Sequence, residues 1–346
     1  MTILIAGGAG FVGANLAFML KGKYPHSKVV ALDNLKRRGA ELNLPYLKSV
    51  GVEFVHGDIR NKEDLRFDEP LDFIIDAAAE PSVLAGLNGA TDYLINTNLN
   101  GTINLLSVAT AHKAKFIFLS TSRVFPIAQL EKLPYTEGTT RFELTSSQGV
   151  AEDFPLEGAR SFYGTTKLAS ELVLQEYQAF CGLQAVVNRC GVIAGPRQMG
   201  KVDQGVVVLW MAQHFWKKSL SYIGYNGSGK QVRDAMHILD LFDLVDYEIN
   251  HFDRMAGKTY NAGGGAAVSF SLLELTQLCE KITGNRIPIA RVAQNRVGDI
   301  PIYITDHSRL TAATGWMPKR NMEAILTDIY EWLKSNEALL KPILSA

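Results

Sequence analysis

The sequence predicts an α/β fold, a doubly wound parallel sheet with a smaller C-terminal lobe. Three observations carry this. Short apolar runs alternate with amphipathic stretches from the N-terminus to about residue 188. A glycine-rich turn, Gly7-Gly8-Ala9-Gly10-Phe11-Val12-Gly13, joins the first apolar run to the first amphipathic stretch. The second apolar run ends on an acid, Asp33.

Taken in order, the expected strands are Thr2–Ala6, Val29–Asp33, Glu53–His56, Phe73–Ala77, Phe116–Ser120 and Gln184–Asn188. Each is short, rich in Val, Ile, Leu or Phe, and bounded by turn residues or charges. Between them, Gly13–Gly22 and Asn98–His112 have helical character. Strand–helix alternation implies a parallel sheet covered on both faces, which binds ligands at the carboxyl ends of its strands. Pro126–Ser161 is a long excursion between a strand and a helix, and loops of that length inside compact domains usually serve function or carry structure of their own. After Arg189 the pattern loosens: Gly191–Gly205 and Ile223–Lys230 are rich in Gly and polar residues and are expected near a substrate. Helical spacing returns in Leu272–Ile282 and Asn321–Leu333. The expected division is a nucleotide-binding domain over 1–188 with about 232–262, and a substrate-binding domain over 189–231 with about 263–346.

Composition excludes several classes. The 346 residues are 47% hydrophobic and 20% charged, as in ordinary globular proteins. Lys plus Arg and Asp plus Glu both number 35, so no net field advertises nucleic acid or an anionic membrane. Three cysteines (Cys181, Cys190, Cys279) without metal spacing suggest a reducing compartment. No cleavable signal is evident and no apolar run is long enough to span a bilayer, so a cytoplasmic protein is expected. The seven histidines lack ligand spacing, and no metal is expected.

The glycines permit a tight turn and close backbone approach to a pyrophosphate resting on a helix N-terminus. Asp33, 20 residues after Gly13, can accept hydrogen bonds from the adenosine ribose and would repel a 2′-phosphate. NAD is therefore expected, with Lys36, Arg37 and Arg38 leaving NADP as the alternative. Asp58, which ends the third strand in His56-Gly57-Asp58-Ile59, can reach the adenine amino group. Tyr163 and Lys167 stand four apart on a helix and share a face. A nearby ammonium stabilises a phenolate, making Tyr163 a usable acid–base group near neutral pH. Thr121, at a strand's end, can hold a substrate hydroxyl.

These motifs resemble the extended short-chain dehydrogenase/reductase superfamily, built on a Rossmann-type fold. Thr121-Ser122-Arg123-Val124-Phe125, Val232-Arg233-Asp234, Tyr260-Asn261-Ala262-Gly263-Gly264 and Gly315-Trp316-Met317-Pro318 extend the resemblance over nearly the whole chain. Within it, Phe54–Asn61, Arg197-Gln198, Asp203-Gln204-Gly205 and Gly229–Asp234 are similar to the CDP-paratose 2-epimerases. The resemblance implies a tightly held NAD lined by Gly7, Gly10, Phe11, Val12, Gly13, Asp33, Asn34, Asp58, Ile59, Ala77, Ala78, Ala79, Asn98, Tyr163 and Lys167. It places Thr121, Ser122 and Gln204 at the sugar of a nucleotide-diphosphate sugar, and Arg233 and Arg296 on its diphosphate. Catalysis would fall to Tyr163, Lys167 and Thr121, and the protein would be a homodimer or homotetramer. The chemistry implied is epimerisation through a transient ketose, at C2 by the subgroup or at C4 by the commoner activity. A 4,6-dehydratase would carry Asp-Glu after the threonine, where Ser122 and Arg123 stand here. An NAD(P)H reductase and a non-catalytic dinucleotide sensor are the other readings. Glu80 and Val192 depart from the family's usual pattern.

Overall fold

A computed structural model of the chain describes residues 1–87, 89–145, 149–200 and 204–345. It divides into two compact units, one of Met1–Val124, Ser161–Arg189 and Phe242–Tyr260, the other of Phe125–Arg160, Cys190–Leu241 and Asn261–Ala346.

The first unit is built on a seven-stranded sheet. Its strands are β1 (Thr2–Ala6), β2 (Lys28–Asp33), β3 (Glu53–His56), β4 (Phe73–Asp76), β5 (Lys115–Thr121), β6 (Ala185–Cys190) and β7 (Lys258–Ala262), in the order β7-β6-β5-β4-β1-β2-β3. β1 pairs in parallel with β2 and β4, β2 with β3, and β4 with β5. Near one end of β7 the amide of Gly257 donates to Ala185 O, so that strand follows β6. The six expected strands are all present, within two residues at each end. β7 was not expected, because Lys-Thr-Tyr-Asn-Ala offers only a short apolar signal at a sheet edge. The order reverses between β1 and β4, and doubly wound sheets open a ligand crevice at such a point.

Three helices matter most. α1 (Phe11–Lys23) starts directly from the glycine turn and ends with Lys21 and Lys23, cations favoured by the helix dipole. α2 (Gly101–His112) follows a π-turn over Asn96–Asn100. α3 (Phe162–Cys181) is capped by Ser161, whose side chain accepts from Gly164 N, and stops at Gly182 in the left-handed region. Leu105 of α2 and Leu174 of α3 share a buried cluster with Leu4, Ile74, Phe116 and Phe118 of the sheet. Continuous apolar strands of this kind are what a sheet covered on both faces requires.

In the second unit, the excursion after the fifth strand has structure of its own: a turn of helix at Ile127–Leu130 and an antiparallel hairpin of Tyr135–Glu137 with Phe142–Leu144. Arg141 fastens that hairpin by donating from Nε to both Glu274 oxygens at 2.9 and 3.0 Å. Glu274 meanwhile completes a capping box with Ser271 at the start of helix Leu272–Thr283. Helix Met322–Ser335 is capped by Asn321. Strand Val232–His237 pairs with Val192–Ala194 and with Ser269–Ser271. Among the described residues, no helix is long and apolar enough to cross a membrane.

Glu248 of the first unit is fully buried, and its oxygens accept from Asn188 Nδ2 at 2.9 and 3.1 Å. Burial pushes it up to about 8 against the pull of Asn188. The native state therefore holds a proton that the unfolded chain releases near pH 4.5. This contribution is complete below that pH and is lost as pH rises through about 8. Glu248→Gln should consequently melt close to wild type at pH 5 and clearly above it at pH 9, by up to about 5 kcal/mol. Parallel pH profiles for the two proteins in urea unfolding would contradict this.

Candidate active site

The glycine turn lies at the reversal point of the sheet. Gly7 has φ +72°, and a Cβ there would come within 2.9 Å of Ala77 O and Ala78, so the loops after β1 and β4 are in contact. Gly13 is tighter still, since its Cβ would lie 2.1 Å from Gly7 O. Only glycine allows α1 to start this close to the strand, which is the cradle a pyrophosphate needs. Phe11 and Val12 open α1 between these glycines.

Asp33 closes β2 beside the turn, and its carboxylate accepts from Ala9 N and Gly10 N at 3.1 and 3.2 Å through one oxygen. The other oxygen accepts from Leu35 N at 2.8 Å. Burial pushes this carboxyl above its ordinary value and the three amides pull it back. Asn34 donates to Asp58 at 2.8 Å, so two residues expected at the adenosine end touch one another. The Arg60 guanidinium holds the Asp58 carboxyl down at about 2. Ile59 is buried and its carbonyl accepts from Asn104. Asn98 is buried and grips the loop after β4: it accepts from Glu80 N at 2.8 Å and donates to Glu80 O at 3.1 Å and to Thr166 Oγ1 at 3.2 Å. Ala77, Ala78 and Ala79 lead into that loop half-buried. Glu80 itself caps the loop, accepting from Ser82 N at 3.2 Å.

Thr121 ends β5 nearly buried, and its hydroxyl oxygen accepts from Arg123 N at 3.2 Å across Ser122. Tyr163 is half-buried in the first turn of α3, one turn before Lys167. Lys167 is 1% exposed, with its ammonium 4.0 Å from the centre of the Phe118 ring. Helix α3 thus lies against the end of β5 that carries Thr121.

Beneath these groups is a buried ionic knot that sequence reasoning missed. Glu171, one turn beyond Lys167, accepts from Ser120 Oγ at 2.5 Å and from Arg189 Nε and Nη2 at 3.1 and 2.8 Å. Their relative exposures are 1%, 5% and 6%, so the pair is desolvated rather than a surface contact. A Tyr-Lys-Glu series at spacing four was the available signal.

In the second unit, Arg233 lies in strand Val232–His237. It donates to Asp299 at 2.7 Å, Ile300 O at 2.8 Å and Val232 O at 2.7 Å. Asp299 in turn has its amide on Arg296 O at 3.2 Å. The guanidinium of Arg233 is thus held by Asp299, an acid the sequence left without a role, and Arg296 meets the same residue through its backbone carbonyl. Gln204 is half-buried just ahead of helix Val206–Phe215, whereas Asp203 lies outside the described residues.

Residues 3–263 match the NAD dependent epimerase/dehydratase family. The chain is 31% identical to the CDP-paratose 2-epimerase of Salmonella typhi, over 97% of this chain and all of that protein. Among solved structures it is similar to the UDP-glucuronic acid 4-epimerase from Bacillus cereus in complex with UDP-glucuronic acid and NAD, at 25% identity and TM-score 0.80, covering 97% and 99% of the two chains. It is also similar to DesIV, the dTDP-glucose 4,6-dehydratase from Streptomyces venezuelae with NAD bound, at 25% identity and TM-score 0.82, covering 99% and 100%. The chain belongs to the NAD-dependent epimerase/dehydratase family, and is an enzyme of the extended short-chain dehydrogenase/reductase type whose cofactor is NAD.

Glu171→Gln removes one charge of the buried pair and leaves the Arg189 guanidinium without its carboxylate. Breaking such a pair costs about 3–5 kcal/mol. Urea unfolding at neutral pH should show that loss, and a midpoint within experimental error of wild type would mean the pair is unimportant to the unit.

Proposed function

We propose that the enzyme epimerises a nucleotide-diphosphate sugar, with inversion at C2 of a CDP-linked sugar of the paratose/tyvelose type. The observation that carries the reading is local: Tyr163 and Lys167 stand one turn apart on α3, packed at the end of β5 where Thr121 sits. The full-length similarity to a CDP-paratose 2-epimerase supports the choice of carbon and nucleotide. Ser122 and Arg123 after Thr121 speak against dehydration, because eliminating water from a sugar needs an added acid and base.

The fit to the cofactor rests on the crowding at Gly7 and Gly13 and on Asp33 beside the turn. Gly7, Gly10, Phe11, Val12 and Gly13 would hold the pyrophosphate, Asp33 and Asn34 the ribose, and Asp58 and Ile59 the adenine. Ala77, Ala78 and Ala79 would line the path to the nicotinamide, and Asn98 would set the shape of that loop. When bound, NAD supplies a reversible hydride acceptor, so a sugar carbinol can go to the ketone and return from its other face. Tyr163 takes the hydroxyl proton on the way out and gives it back on return. Lys167 stabilises the phenolate through its charge. Thr121 and Ser122 hold the sugar, with Gln204 proposed as a further contact. Arg233 and Arg296 suit the diphosphate, since a guanidinium fork matches phosphate oxygens. Net redox change is zero, and the cofactor needs no exchange between turnovers.

Two measurements test this. Tyr163→Phe should lose activity by about a hundredfold or more while retaining its NAD, the scale expected when an acid–base group is removed. With wild type, CDP-sugar carrying deuterium at C2 should keep that label in the inverted product. Wash-in of solvent deuterium at the rate of turnover would sink the transient-ketose mechanism. Screening other nucleotide sugars alongside decides between this substrate and the 4-epimerase reading.

Arg233→Ala should raise KM for the nucleotide sugar at least about tenfold, with NAD content unchanged, because a charge-assisted contact is worth about 1.5–3 kcal/mol. An unchanged KM would remove Arg233 from the diphosphate site.

A further inference from the structure

Another buried carboxyl lies close to the proposed catalytic groups. Asp76 is the last residue of β4 and fully buried. Its side chain accepts from Thr102 Oγ1 of α2 at 2.7 Å and from Ala78 N at 3.1 Å. In the sheet Asp76 pairs in register with Phe118 of β5. Register partners present their side chains to the same face. Phe118 is the ring over which the Lys167 ammonium sits, at 4.0 Å. Asp76 and Lys167 thus flank one aromatic ring in the buried layer between the sheet and helices α2 and α3.

The groups next to Asp76 come from several elements. Helix α2 offers the neutral Thr102 hydroxyl, and β1 offers Ala6 in register. Helix α3 offers Lys167, and one turn further on it carries Glu171, which is paired with Arg189 of β6. Glu171 is held by Arg189 and Ser120. Burial pushes the Asp76 carboxyl up, and Lys167 is the leading influence pulling it back.

We propose that Asp76 is the counter-ion of Lys167, a positioning residue that keeps the buried lysine charged so that it can act on Tyr163. The inference rests on the acid–base reading of Tyr163 given above. An ammonium desolvated to this degree, with no carboxylate nearby, tends to lose its proton. A neutral Lys167 could still donate a hydrogen bond but would not draw a phenolate into existence near neutral pH. The four buried ions Asp76, Lys167, Glu171 and Arg189 then balance in charge, the first two serving chemistry and the last two architecture.

The test reads Tyr163 itself. Tyrosinate absorbance is titrated in full-length protein as purified and in Tyr163→Phe, and the difference isolates that one side chain. The same comparison is made in an Asp76→Asn background. The midpoint should rise by about one pH unit or more when the Asp76 charge is gone. An unmoved or lowered midpoint overturns the proposal. Thr102→Val, which removes a hydrogen bond and keeps the charge, should leave the midpoint in place; a rise as large as that of Asp76→Asn would assign the effect to packing and overturn it too. If the starting protein shows no ionisation below that of an ordinary tyrosine, the acid–base reading of Tyr163 fails first and this inference falls with it. Should Asp76→Asn not fold, the Asp76→Asn/Lys167→Met double variant decides. Regained cooperative unfolding supports the pairing, and failure of the double variant as well overturns it.

Discussion

Glu171 reaches from α3 to two strands at once, and those three elements carry every group proposed to react. Through Ser120 it fixes the residue beside Thr121, and through Arg189 it ties the helix to β6. Tyr163 and Lys167 are two turns and one turn before it on the same helical face. The angle at which α3 meets the sheet is therefore set by an ion pair with little freedom to slide. A desolvated pair of this kind contributes modest net stability but defines geometry strongly, because every alternative arrangement strands a charge in the interior. Proton transfer needs donor and acceptor held within hydrogen-bond reach, and here the constraint comes from beneath the reacting groups.

The same logic operates at the dinucleotide end with neutral groups. The reversal of strand order brings the loops after β1 and β4 side by side, and the missing side chain of Gly7 lets them touch. Asn98 then uses both ends of its amide on the second loop, donating and accepting at Glu80. The loop's carboxylate, conspicuous in the sequence as a charge where a pyrophosphate is expected, caps its own turn at Ser82. Local hydrogen bonding gives a place to a residue that departs from the family's usual pattern.

Legibility followed the physics of each feature. Strands β1 to β6 were readable because apolar runs bounded by turn residues leave few alternatives, and the glycine turn because close approach admits no side chain. Tyr163 and Lys167 were readable from helical spacing. Strand β7 was not, since an edge strand with polar ends lacks a period. Asp76, Glu171 and Asp299 were missed for a shared reason: a buried charge is recognisable only by its partner, and those partners are distant in sequence. Arg189 is 18 residues from Glu171, and Asp299 is 66 from Arg233. The family resemblance implies a diphosphate contact for Arg233, whereas the acid that holds its guanidinium, Asp299, has no signal in the sequence.

Asp33 carries a consequence for how such enzymes diverge. The carboxylate proposed to meet the ribose also anchors the amides of Ala9 and Gly10, so in that reading selectivity and loop shape are written in the same atoms. A substitution made there to welcome a phosphorylated ribose would also loosen the glycine turn proposed to seat the pyrophosphate. Exchange of one dinucleotide for the other must then pass through variants that bind both poorly, unless a second change first takes over the anchoring. Coupling of this sort buffers a lineage against drift in cofactor choice even while its substrate lobe explores new sugars.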